Sequence, residues 1–195
     1  MVYIPHLGVS TISDHPDAQA ALTVQFGSGG DACVVFRASP GEGPRSGSVP
    51  TLVGALLASS LARMGHGTQS EQLLKTVERS AGLFATMSQP NVLPPEMRLV
   101  HPEELANANT VCTVLIPTEG KEFVKSVFSV NDADVAYKAF LYGLQYAIDS
   151  LAPETLVALS SVLRGVAGRF RGTAEWPDAE TIERELAEGK AGISR

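Results

Sequence analysis

Between Ser46 and Ala62 the chain carries no charged residue. Pro50 suits the first turn of a helix, where its missing N–H has no intrahelical partner to lose. From there Val53, Leu56, Leu57, Ser60, Leu61 and Met64 fall at helical spacing, and Gly65 is placed to end the helix. The opposite face, Gly54, Ala55, Ala58, Ser59 and Ala62, is small rather than charged. A helix without a wet face needs cover on both sides. A sheet supplies one side, and a second helix or another subunit must supply the other. The run is too short and too rich in Ser and Gly to span a membrane, which takes roughly 18 or more apolar residues.

The flanking segments say what that cover is. Residues 21–37 read as a hairpin: Leu22, Val24 and Phe26 alternate with Thr23 and Gln25, "GSGGD" is a turn, and "ACVVFR" is a more continuous strand. Before it, "LGVSTIS" has the weak alternation of an edge strand. After the first helix, Thr68 and Glu71 have capping-box spacing, and Leu73, Val77, Ala81 and Phe84 form a buried face opposite Lys75, Glu78 and Arg79. Residues 89–108 are a proline-rich connection with one helical turn at "PEEL". Residues 109–130 read as a second hairpin that turns at "PTEGK". Asn131 caps a third helix and Pro153 starts a fourth. Trp176-Pro177-Asp178 opens a fifth, and 190–195 is a frayed tail.

This order predicts an α+β fold: an antiparallel sheet built from two hairpins, packed against four to five helices. The hairpins align at an offset of 90, with Thr23-Val24 on Thr113-Val114, Gly30 on Gly120 and Val34 on Val124. Two ββαα halves, 21–88 and 109–172, would follow from an internal duplication. An ordinary single α+β domain, 1–195, is the other reading.

A chain of 195 residues buries enough surface to need no staple. Its two cysteines, Cys33 and Cys112, lie in separate apolar runs and form no CxxC, so they read as small buried hydrophobes. The net charge of −6 gives no overall attraction to nucleic acid or anionic lipid. No basic region followed by an apolar run opens the chain, which leads to an expected cytoplasmic location and no membrane span.

Local chemistry is sparse. The loop ahead of the first helix offers Arg45, Ser46 and Ser48 to an anion, but no Lys follows Gly47 and the spacing matches no phosphate-binding motif. His6, His15, His66 and His101 form no metal-ligand spacing, so no metal and no cofactor is expected. No nucleophile elbow is present. Arg164, Arg169 and Arg171 make the one basic cluster. Cations at a helix C-terminus explain it, with Glu180, Glu183, Glu185 and Glu188 available to neutralise it. Tyr142 and Tyr146 share a helix face and suit an interface or a pocket wall.

The leading expectation is a non-catalytic interaction or self-assembly protein, a homo-oligomer joined through Leu57, Ala58, Leu61, Tyr142 and Tyr146. The alternative is a small enzyme or ligand-binding protein with a pocket between sheet and helices, using Arg45, Ser46, Ser48, His66 or a cysteine. Third comes a phosphate or nucleic-acid binder using Arg164, Arg169 and Arg171, against which the net charge argues.

Overall fold

The computed structural model describes residues 18–38, 48–84, 90–105, 107, 110–117, 125–128 and 132–172. The expected edge strand in 1–17, Arg45, Ser46, the acids of 180–188, the fifth helix and the tail lie outside them.

The fold is mixed α+β. Strands β1 (Ala18–Phe26) and β2 (Asp31–Ala38) form an antiparallel hairpin, with Gly29 and Gly30 supplying the positive φ angles of its turn. Helices α1 (Ser48–Met64) and α2 (Thr68–Phe84) follow, separated by Gly65 at φ +66°. The connection then gives a two-residue strand β3 (Arg98–Leu99) and a 3₁₀ turn at Pro102–Glu104. Strands β4 (Thr110–Pro117) and β5 (Lys125–Phe128) pair antiparallel, and helices α3 (Ala133–Ser150) and α4 (Pro153–Gly172) complete the described chain. The sheet order is β3-β2-β1-β4-β5, so β1 and β4 form its centre, antiparallel to each other.

The helices stack on one face in two layers. α1 lies over β1, β4 and β5, and α3 over β1, β2 and β3; the two pack against each other, while α2 and α4 pair outside them. This answers the question posed by the uncharged helix. Its apolar stripe and its small face are both covered within the chain: Leu52, Val53, Ala55, Leu56, Leu57, Ser59 and Leu61 are all fully buried. Gly143 permits the close α1–α3 approach, because a Cβ there would lie 2.4 Å from Leu56 Cδ2.

Period-2 alternation sorts the strand residues. Leu22, Val24, Phe26, Ala32, Cys112 and Val114 join the helices in the main core. Ala21, Thr23, Gln25, Cys33, Arg37, Thr113 and Leu115 occupy the other face and are buried as well.

Three local expectations are corrected. The proline-rich connection is not wholly irregular: it adds β3, parallel to β2, through Arg98 N–H to Gly30 O at 3.0 Å and Val100 N–H to Ala32 O at 2.9 Å. The cap of α3 is Asp132, whose carboxylate accepts from the N–H groups of Asp134 and Val135. Asn131, the residue expected there, lies outside the described residues. Thr68 does not precede α2 as a cap but begins it; Ser70 Oγ closes the turn by bonding Gly67 N–H and O, both at 2.9 Å.

Candidate functional site

The connection is held by contacts that its sequence alone does not advertise. At Gly30 a Cβ would stand 2.1 Å from the carbonyl oxygen of Glu96, so only glycine lets that segment lie on the β1–β2 turn. Arg98 forms a fork with Asp31, donating from Nε at 3.1 Å and Nη2 at 3.2 Å. Tyr142 Oη donates to the Gly30 carbonyl, and its ring packs on Phe26 at 5.7 Å. Burial pushes the Tyr142 phenol up to about 12, and Asp31 adds to the shift.

A groove of about 460 Å³ opens beside this strap. Val34 of β2, Leu99 to Pro102 and Glu104 of the connection, and Tyr146, Asp149 and Ser150 at the end of α3 line it. Gln145 fixes its α3 wall. The Gln145 Oε1 accepts from Val92 N–H at 2.8 Å, and its Nε2 donates to Asp149 Oδ1 at 2.8 Å. Asp149 is thereby oriented, with Oδ2 unengaged among the described residues. Glu104 Oε2 accepts from His101 N–H at 3.3 Å. Burial raises the Tyr146 phenol, against a lowering hydrogen bond with Ser150, so at neutral pH it is an uncharged donor. The groove is partly apolar and carries two carboxylates, with no Lys or Arg among its described lining residues.

The second polar constellation lies on the face of the sheet opposite α1 and α3. Thr23 and Thr113 face each other across the central strands, their hydroxyls 3.2 Å apart. Cys33 Sγ donates to Gln25 Oε1 at 3.3 Å. Arg37 is 6% exposed, and neither its Nε nor its two Nη atoms have a hydrogen-bond partner. Burial pushes the Cys33 thiol up to about 11, partly offset by Arg37, and burial lowers the Arg37 pKa.

The residues singled out from sequence are scattered over the fold. Leu57, Ala58, Leu61 and Tyr142 show at most 3% exposure. Tyr146 lines the groove, whereas Tyr142 packs in the core. His66 stacks on Phe170 of α4 at 4.2 Å, away from the groove. Ser48 begins α1. Cys33 and Cys112 point to opposite faces of the sheet and cannot share a ligand. Of the basic cluster, Arg171 pairs with acids of α2, Glu71 at 2.7 Å and Glu78. Arg164 is exposed and Arg169 half-buried on α4. Among the described residues no group of three or more His, Cys, Asp or Glu is placed to hold a metal, and no helix is long and apolar enough to cross a membrane.

Sequence reasoning missed the groove because its lining comes from three separated segments. The one available signal was Gln145 and Asp149, a polar pair one turn apart on the otherwise apolar half of α3 from Ala139 to Asp149. No protein-family model matches the chain, and no curated protein and no solved structure matches it.

Proposed function

We propose that this chain is a non-catalytic binding protein whose recognition site is the groove between β2, residues 99–104 and the end of α3. The observation that carries the reading is the pre-oriented Asp149 carboxylate, held by Gln145, in a partly apolar groove that also contains Glu104 and, among its described lining residues, no Lys or Arg. Such a site suits a ligand with an ammonium or guanidinium head and a short apolar body. The head makes a charge-assisted hydrogen bond to Asp149, and the body covers Val34, Leu99 and Pro102.

The test is a thermal-shift titration of the full chain with a panel of alkyl amines and guanidines at constant ionic strength. A saturable rise in Tm is expected, since a ligand that binds only the native state stabilises it by mass action. The rise should vanish in Asp149→Asn/Glu104→Gln and persist in His66→Ala, which lies elsewhere. A flat response, or an unchanged one in the double variant, overturns the reading.

Self-association, in this proposal, uses a surface other than α1, and light scattering across a concentration range reads it directly. The internal duplication is carried with it. In its support, Thr23 and Thr113, equivalent at the offset of 90, sit opposite each other where β1 meets β4, as a pseudo-twofold requires. The pairings α1 with α3 and α2 with α4 have the same symmetry. An experimental structure in which one rotation near 180° maps β1, β2, α1 and α2 onto β4, β5, α3 and α4 would sustain it; strands that superpose while the helices do not would end it.

A further inference from the structure

We infer that the Arg37 guanidinium is a second binding site, on the face of the sheet opposite α1 and α3, for one carboxylate or phosphate group. An arginine has five N–H donors in a planar fork and stays protonated in proteins. Leaving such a group buried without acceptors is costly, and chains that bury a charge supply a counter-ion or a ligand. Arg37 is more than nine-tenths buried, yet Nε, Nη1 and Nη2 all lack an acceptor.

The described strand neighbours offer Arg37 no acceptor. The neighbour across the ladder is Ala21, and beyond it Leu115, so no side chain in that row can accept. The residues two and four back on the same face are Val35 and Cys33, and the Cys33 thiol is already donating to Gln25. Asp31 is the one carboxylate on the five strands. It stands at the other end of β2, about 20 Å away at ~3.3 Å per residue, and is held by Arg98. A cationic fork beside a small residue, with no anion within its row, is the arrangement that a bidentate oxyanion completes. β3 pairs only with Asp31 and Ala32, so among the described residues no strand flanks the Arg37 end of β2 on that side. The site shares no residue with the groove, so it stands or falls separately from the amine-binding reading.

The experiment follows thermal unfolding of the full chain with inorganic phosphate, and separately with acetate, at ionic strength matched with sodium chloride. The expected result is a saturable rise in Tm with at least one of the two. Phosphate alone identifies a tetrahedral dianion as the preferred group, acetate alone a carboxylate, and both a general oxyanion. Arg37→Met should abolish the rise, while Arg37→Lys, which keeps the charge and loses the fork, should retain a weaker one. Without any anion, Arg37→Met should melt no lower than the parent chain, because it removes an unanswered charge. No rise in the parent, the same rise in Arg37→Met, or an Arg37→Met chain that melts lower or fails to fold would each overturn the inference.

Discussion

The two faces of the sheet are both buried, and they are built on different principles. Toward α1 and α3 the strands present Leu22, Val24, Phe26, Cys112 and Val114, which interlock with helix side chains in one apolar core. Toward the other side the same strands present Thr23, Gln25, Cys33, Arg37 and Thr113. Burial on the first face is driven by area and shape. On the second it depends on whether each polar atom finds a partner, and Gln25 Nε2 and the Arg37 nitrogens do not. One strand thus carries packing on one side and polar specificity on the other. Fractional burial alone would not separate them.

The sharpest way to break the comparison is at the α1–α3 contact. Leu56→Ala should cost about 2–5 kcal/mol in urea unfolding, the range for a large core residue reduced to alanine. Gly143→Ala should cost about 1–3 kcal/mol by overpacking, since its new Cβ meets Leu56. Combined, the two should cost less than their sum; strict additivity would show that this approach does not set the helix spacing.

A second test uses alkaline pH to probe the polar face. The Cys33 thiol titrates near 11 when folded, against an ordinary value of 9.0. Between those values the unfolded chain has lost the proton that the native chain keeps. Stability contributed by the neutral buried thiol is therefore whole below pH 9 and falls as pH rises toward 11. Cys33→Ser keeps a donor toward Gln25 and removes that titration, so its urea midpoint should decline less steeply across this window. Parallel slopes for the two chains would mean the thiol is not buried in its neutral form.

The smallest effect is expected at the centre of the same face. A double-mutant cycle with Thr23→Val and Thr113→Val should give a coupling of about 0.2–1 kcal/mol, typical of a cross-strand hydroxyl pair. Zero coupling would reduce that pair to mere proximity.

The apolar face was readable in the chain because period tells which residues travel together. Alternation in "ALTVQF" and the helical stripe from Val53 to Met64 both sit where their spacing implies. Period does not tell what covers a face. The same stripe fits an oligomer or a core, and only the positions of α3 and α4 decide for the core. The cap of α3 shows the limit at single-residue scale: Asn131 and Asp132 are both good capping types, and spacing cannot choose between neighbours. β3 was invisible because two residues carry no period, and its place depends on Gly30 leaving room for Glu96. The groove and the Arg37 site are hidden for a related reason: each is a relation among distant segments.

The pairing at the centre of the sheet also has a consequence for biosynthesis. β1 and β4 meet through residues 90 apart, as Thr23 and Thr113 show. A ribosome releases β1, β2, α1 and α2 well before β4 exists. During that interval β1 has a hydrogen-bonding edge with no strand to take it, beside apolar side chains that still await α3. The nascent chain is therefore most exposed to mispairing before residue 117 emerges, and slow translation of the proline-rich connection would prolong that exposure.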